Sequence, residues 1–307
     1  MSKMSCDQAI HGILLVNKPE GLSSNAVLQR VKKLYRAKKA GHTGSLDPLA
    51  TGMLPICLGE ATKFSQYLLN ADKVYEATAI LGIKTNTGDA LGQIIEEQDD
   101  VVVSLAEIQK AIRQFTGAIR QVPSMFSALK HKGVPLYKYA REGISIEREA
   151  RNVMIYQLEL TGFNGKRFTI KVSCSKGTYI RNLVEDIGDY LGVGAHVSQL
   201  HRVCTSGFDD ETMYSLADLQ EKSSAELFAC LLPMERAVIH FPAVSLNNDE
   251  LLALRQGKVL KSKNREDFTG FLRLHNEAGQ FIGLGELSLG ELSVKRLLTE
   301  EATKAIF

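Results

Sequence analysis

The chain has 307 residues, 37 Lys and Arg against 35 Asp and Glu, 44% apolar residues and 23% charged ones. This is ordinary for a soluble globular protein with a sizeable core and room for two domains, and a net charge of +2 identifies no nucleic-acid partner unless the cations cluster. Five scattered cysteines (Cys6, Cys57, Cys174, Cys204, Cys230) without a CxxC pair argue against a zinc ribbon or disulfide framework and for a reducing cytosol, while an N-terminal apolar run of about four residues is too short for a signal-peptide core and nothing approaches the ~20 apolar residues of a membrane span.

"GILLVNKPEG" predicts a short buried strand stopped by Pro19 and Gly21, and Ser23 or Ser24 can cap the helix after it. In that helix Val27, Leu28, Val31, Leu34 and Tyr35 share a face. Arg30, Lys32, Lys33, Arg36, Lys38 and Lys39 fill the other positions and the exit, with no acid among them. A solvated helical surface normally intersperses Glu for i,i+4 pairing, so this stretch favours anion binding over a plain polar face.

"GHTGSLDPLATGMLPICLGEATK", residues 41–63, follows directly. A single acid, Asp47, precedes Pro48 there. Asx-Pro pairs are ordinary turn starters. Here, however, Pro48 restricts Asp47 to extended backbone, and Gly41, Gly44 and Gly52 allow close approach of a polymer or another backbone. A lone rigid carboxylate is what nucleophilic or general-base work requires.

"KVYEATAIL" predicts a strand with Tyr75, Ala77, Ala79 and Leu81 on one face. "NTGDALG" after it is turn chemistry. Residues from about 104 to 117 form an amphipathic helix with Leu105, Ile108, Ile112 and Phe115 on one side. Residues 121–151 mix glycines, prolines, aromatics and bases without an apolar period, and such long irregular excursions tend to be functional. "VMIYQLELTGF" and "RFTIKVSCSKGT" predict a strand pair. A helix with Ile180, Leu183, Val184, Ile187 and Leu191 buried comes next, then a strand over "AHVSQLHRVCTSGF" and an acid-rich helical patch. Beyond Pro242 the chain turns to short β-like runs and Gly-containing turns, with Arg255, Lys258, Lys261, Lys263 and Arg265 early in it. Strands and helices without βαβ alternation argue for α+β.

Walker-type GxxxxGK[ST], GxGxxG after a strand, HExxH and GxSxG are all absent, and the seven histidines show no ligand spacing. Neither a nucleotide-triphosphate cradle nor a metal site is expected from these residues.

Together these segments resemble the TruB-type tRNA pseudouridine-55 synthases. "GHTGSLDPLATGMLP" resembles the family's signature, and "VNKPEGLSS", "VYEATAILG", "PSMFSALKHKGVPLYKYAREG", "CSKGTYIRNLVEDIG" and "HVSQLHRVCTSGF" look like its further segments, in its order, from about residue 11 to 240. The resemblance implies a mixed, largely antiparallel-sheet catalytic domain over 8–245, with 121–151 as an RNA-covering insertion. It implies a small β-rich, PUA-like RNA-binding domain over 246–307. The implied activity is isomerisation of uridine to pseudouridine at position 55 in the T loop of tRNA, after base flipping and without a cofactor. The implied partner is the tRNA T-arm, and the implied state a monomer.

The same resemblance carries roles to single positions. Asp47 aligns with the essential aspartate, which adds to the ribose or base or removes a ribose proton. Tyr75 aligns with the tyrosine that stacks on the target base, and Arg181 with the arginine that pairs with the carboxylate and holds its pKa down. Tyr179 and Leu200 align with the pocket wall. His42 aligns with the histidine that fills the gap left by the flipped nucleotide. Lys130 and His131 fall in the segment that closes over RNA, and the helix beginning near Thr178 offers N–H groups to a phosphate. Two other readings compete: an RNA-folding protein without catalysis, and an unrelated hydrolase using Asp47 with His42.

Overall fold

The structure is a computed structural model that describes residues 10–261 and 268–304. Cys6, Lys263 and Arg265 lie outside the described residues. β1 (Gly12–Lys18) is buried along nearly all its length, as its apolar run requires. A turn leads into α1 (Ser24–Leu34), whose N-cap is Ser23: its hydroxyl accepts the Ala26 N–H at 3.2 Å. β2 (Ala40–His42) and β3 (Thr51–Leu58) bracket the glycine-rich loop, and β3 pairs antiparallel with both β1 and β2. A 3₁₀ turn at Gly59–Lys63 and α2 (Ser65–Leu69) carry the chain to β4 (Lys73–Leu81). There Tyr75, Ala77, Ala79 and Leu81 are buried and Glu76 is exposed, the period of two read from the sequence.

β5 (Ile83–Thr85) and β6 (Ile94–Glu97) form a small hairpin before α3 (Leu105–Gln114), which Ser104 and Glu107 close with a capping box. Ile108, Ala111 and Ile112 face the core, but Leu105 is 52% exposed, because the first residue of the helix stands at the open end of the apolar stripe. β7 (Gly117–Gln121) follows. The stretch read as irregular contains a short hairpin, β8 (Lys130–His131) with β9 (Val134–Pro135), and a helix, α4 (Leu136–Arg141). β10 (Arg151–Phe163), β11 (Arg167–Cys174), α5 (Ile180–Tyr190) and β12 (Ala195–Thr205) complete the sheet.

Its order is β1-β3-β12-β4-β11-β10-β7, with β2 beside β3. Every pair is antiparallel except β12 with β3. α3 and α5 cover the face that carries Tyr75, and their Ile108, Ile112, Leu183 and Ile187 share one core with Ala77, Ala79 and Leu200. Leu191, expected on that stripe, is only partly buried. The acid-rich stretch forms α6 (Leu216–Glu221) and α7 (Ser224–Ala229), whose Leu219 and Leu227 pack with Val27 and Val31 of α1.

A second sheet contains β13 (Ala243–Ser245), then, after α8 (Asn248–Arg255), β14 (Leu260–Lys261), β15 (Gly270–His275), β16 (Phe281–Ser288) and β17 (Glu291–Leu297), in the order β13-β15-β16-β17-β14; α9 (Glu300–Lys304) follows. Phe281, Leu284, Leu298 and Ala302 share a buried cluster with Ile13, Leu15 and Met53 of the first sheet and with Phe64, which precedes α2; the Phe64 and Phe281 rings lie 5.4 Å apart. Polar contacts reinforce the junction: Lys63 Nζ donates to the Leu297 carbonyl at 2.8 Å and the Thr299 N–H donates to Glu60 Oε2 at 3.1 Å. The architecture is α+β, mixed and largely antiparallel, with a β-rich C-terminal part. No described helix is long and apolar enough to cross a membrane. Cys57, Cys174, Cys204 and Cys230 are free and buried.

Candidate active site

The loop between β2 and β3 is held from several sides. Three strands run in register beneath it: Gly52 on β3 pairs with Arg202 on β12, and Arg202 pairs with Tyr75 on β4. Gly52 has φ +97°, and a Cβ there would stand 2.3 Å from the Arg202 carbonyl oxygen. The backbone this glycine admits is therefore that of β12. Gly44 also has positive φ, whereas Gly41 has neither positive φ nor a close neighbour, so nothing in the geometry requires glycine at 41. Arg202 is 1% exposed; its Nε donates to the Met53 carbonyl at 2.6 Å and one terminal nitrogen to the Gly44 carbonyl at 3.1 Å.

The turn after β1 holds the other end of the loop. The fully buried Lys18 Nζ donates to the carbonyls of Pro19 (2.7 Å), Leu22 (2.6 Å) and Pro48 (3.3 Å), and the Gly21 N–H also reaches the Pro48 carbonyl, at 2.8 Å. Burial lowers the Lys18 pKa to about 8, against the opposing charges of Asp47 and Glu20. Ser24 Oγ contacts both main-chain polar groups of Leu46.

Asp47, Tyr75, Tyr179, Arg181 and Leu200 converge on one cavity of about 390 Å³. Arg181, on the first turn of α5, is 4% exposed; its Nε lies 2.9 Å from Asp47 Oδ2. One terminal nitrogen donates to the Thr87 carbonyl and the other to the Phe126 carbonyl at 2.9 Å. Asp89 Oδ2 stands 4.0 Å from the same Nε. The guanidinium thus pairs with Asp47 at Nε while its terminal nitrogens tie in the Thr87 and Phe126 segments.

Burial raises the Asp47 pKa above the ordinary carboxylate value, Arg181 pulls it down, and Asp89 pushes it up again. The family resemblance implies a pKa held down by Arg181; here desolvation outweighs that pull. The Asp47 side chain is nonetheless 38% exposed and lines the cavity, so a substrate can reach it.

Tyr75 is buried across from Arg202 in the sheet; burial raises its pKa against the opposing Arg202 charge and keeps the phenol protonated at neutral pH. Tyr179 is the N-cap of α5. Its N–H donates to Gln121 Oε1 at 3.0 Å, so that group is not available to a phosphate. The same amide's Nε2 donates to the Tyr179 carbonyl at 3.2 Å. Leu200 is a buried wall residue.

His42, Lys130 and His131 do not line the cavity. His42 sits on β2, half-buried, with Nδ1 buried and without a hydrogen-bond partner among the described residues. Burial and the Arg202 charge lower its pKa, so the ring is neutral near pH 7. Lys130 is exposed and His131 half-buried on the β8–β9 hairpin. An Asp47–His42 hydrolase pair therefore lacks the shared cavity it would need. Among the described residues no group of three or more His, Cys, Asp and Glu could hold a metal ion. A second cavity, of about 270 Å³ beside α8, has Arg255 and Glu300 paired across it at 3.3 Å and holds no comparable constellation.

Four residues of the site were not assigned from sequence: Lys18, Ser24, Asp89 and Arg202. Lys18 and Ser24 lie within "VNKPEGLSS", where a lysine before proline and paired serines were the available signals.

Residues 32–180 match the TruB family pseudouridylate synthase N-terminal domain. Residues 181–239 match the tRNA pseudouridylate synthase B C-terminal domain, and 242–298 match the C-terminal part of pseudouridine synthase II TruB. The chain is 54% identical over 97% of its length to tRNA pseudouridine synthase B of Legionella pneumophila strain Philadelphia 1, covering 99% of that protein. It is 51% identical to the enzyme of the same name from Actinobacillus pleuropneumoniae serotype 5b, over 91% of this chain and 92% of that one. Among solved structures it resembles a chain of a Cbf5-Nop10-Gar1 complex (TM-score 0.71, 27% identity, 93% of this chain and 84% of that one). It also resembles a chain of an H/ACA RNP bound to a substrate RNA containing 2′-deoxyuridine (TM-score 0.70, 25% identity, 95% and 86%).

Proposed function

The chain belongs to the TruB family of pseudouridine synthases and isomerises uridine to pseudouridine in tRNA; from that premise we propose that its target is uridine 55 in the T loop and that Asp47 is the essential carboxylate. The observation that carries the assignment is the single ionisable acid opening onto the cavity from a clamped loop, 2.9 Å from a buried arginine and walled by Tyr75, Tyr179 and Leu200. In the reaction the N1–C1′ bond breaks and the C5–C1′ bond forms. C5 loses a proton and N1 gains one, so nothing is oxidised, reduced or hydrolysed. The base must leave its stack to expose these atoms.

In this reading the flipped uracil lies against Tyr75 between Tyr179 and Leu200. Asp47 acts on the ribose or the base, aimed by Arg181. His42, neutral and with a buried unpaired nitrogen, fills the space the nucleotide vacates. The β8–β9 hairpin, with Lys130 and His131, covers the T-arm, and the C-terminal sheet adds RNA contacts. The enzyme works as a monomer without a cofactor.

The test is Asp47→Asn, which removes a charge and hardly any volume. Single-turnover conversion of a T-arm hairpin should be abolished, while affinity, which comes mainly from phosphate contacts, should stay within about tenfold. Turnover by Asn protein free of deamidation would reject the role of Asp47. Pseudouridine mapped at another position of the hairpin would reject the target.

A further inference from the structure

We infer that Ser24 is a positioning residue for Asp47, holding the backbone of the loop one residue ahead of the carboxylate; the inference rests on Asp47 being the essential carboxylate. Two adjacent serines open α1 and do different things. Ser23 is exposed and caps the helix. Ser24 is 3% exposed and faces the loop, where its Oγ donates to the Leu46 carbonyl at 2.9 Å and accepts the Leu46 N–H at 2.7 Å. A hydroxyl has one proton and two lone pairs, so it can make both bonds at once. One side chain thereby satisfies both main-chain groups of a residue 22 positions away, in a place too buried for water to substitute.

Leu46 is also held by its side chain, which is buried in the core with Leu49, Ala50 and Tyr75. Its φ and ψ are the torsions that would swing the Asp47 carboxylate, and Ser24 fixes the peptide groups on both sides of them. On the far side of Asp47 the Pro48 carbonyl is fixed by Gly21 and Lys18. Arg181 Nε lies 2.9 Å from Asp47 Oδ2. That contact restrains the tip of the side chain, whereas the direction in which the side chain leaves the backbone is set by the loop, and Ser24 is the side chain that holds the loop immediately before Asp47. Aim matters at this scale, because a misplacement of about 1 Å can cost a reacting group about a hundredfold in rate.

The experiment measures single-turnover conversion at saturating tRNA, RNA dissociation constant and melting temperature for Ser24→Ala, Ser24→Cys, Ser24→Thr, Ser23→Ala and Asp47→Asn. Ser24→Ala and Ser24→Cys should slow the bound step about ten- to a hundredfold. Their RNA affinity should stay within about threefold, since phosphate contacts lie elsewhere. Ser24→Thr keeps the hydroxyl and should retain about a third of the rate or more. Ser23→Ala should lower the melting temperature and leave the bound rate unchanged. If Asp47→Asn turns over, the underlying assignment of the carboxylate fails, whatever Ser24 does. If Asp47→Asn is inert while folded Ser24→Ala or Ser24→Cys converts at the wild-type rate, the Ser24 inference alone is overturned. A Thr variant no faster than Ala overturns it as well. Should Ala not fold, the near-isosteric Cys, a weak hydrogen-bonding group, decides; failure of both to fold would assign Ser24 to stability and overturn its positioning role.

Discussion

Arg181 Nε lies 2.9 Å from Asp47 Oδ2 while its terminal nitrogens donate to the carbonyls of Thr87 and Phe126. The guanidinium is a planar tie among three segments, and an ammonium on a flexible stem cannot reproduce it. Arg181→Lys should therefore slow the chemical step about tenfold to a thousandfold, or ~1.4–4 kcal/mol of transition-state stabilisation, with much less change in RNA affinity. The pH profile separates aim from charge. Burial holds the Asp47 pKa above the ordinary carboxylate value, so the wild-type rate should fall as pH drops through that raised value. If charge were the main loss in the Lys variant, raising the pH would restore the rate. Persistence of the defect across the alkaline limb is the expected result.

Gly52→Ala should destroy the site from a distance. The added Cβ would meet the Arg202 carbonyl oxygen at 2.3 Å, and φ +97° is strained for any side chain. Since the obstacle is backbone, β3 and β12 must separate, and with them the register that joins Gly52, Arg202 and Tyr75. A loss of ~3 kcal/mol or more in unfolding free energy is expected by denaturant titration, with activity lost in whatever protein remains folded.

Glu185→Gln should stabilise the protein at alkaline pH. Burial raises the Glu185 pKa from 4.5 to about 7, with Asp186 and Asp189 adding to the rise and Arg181 opposing it. Between those values the folded state holds a proton that the unfolded chain has released. The contribution of Glu185 to stability is thus fully present below about pH 4.5 and is lost as pH rises through about 7. Gln mimics the neutral form. It should raise unfolding free energy by ~1–2 kcal/mol at pH 8, a figure discounted for partial solvent access, and the gain should shrink to nothing near pH 4.5. Chemical denaturation across that range measures it.

Removing residues 246–307 should damage the remaining chain as well as RNA binding. Phe281, Leu284, Leu298 and Ala302 close a cluster against Ile13, Leu15, Met53 and Phe64, so truncation opens that apolar face to water. The shortened protein should melt at least about 10 °C lower and aggregate on heating, as scanning calorimetry and light scattering would show. An unchanged melting temperature would mean the first sheet stands without its partner.

Much of this architecture is local and was legible as pattern. The alternation in β4 and the stripe of α5 follow from residues a few positions apart, and each buries the face the sequence assigns, apart from the partly buried Leu191 just past the end of α5. Asp47 stood out because proline and glycine restrict so few residues around one acid. Arg202 did not stand out: it is one cation in a strand-like run, and its burial depends on β12 entering between β3 and β4, a pairing no local window contains. Ser24 carried a helix-cap signal, and only tertiary structure divides that signal between two neighbouring serines. The direction of the Asp47 pKa was missed for a related reason. The arginine partner is visible in sequence by resemblance, whereas desolvation is a property of the assembled cavity.

The position of β12 also orders events in time. A ribosome delivers β3 and β4 early, yet in the finished sheet residues 195–205 lie between them. Until that segment emerges, the nascent chain carries two open strand edges, which are templates for mispairing and the natural clients of chaperones. It already carries Asp47 and Tyr75, but the neighbour of Gly52 is missing, and Arg181 and Leu200 have only just been made or are still to come. Closing such long-range pairs is slow. A stalled or partly translated chain therefore holds the carboxylate without the cavity around it, and the ability to act on RNA arrives late, when the sheet closes.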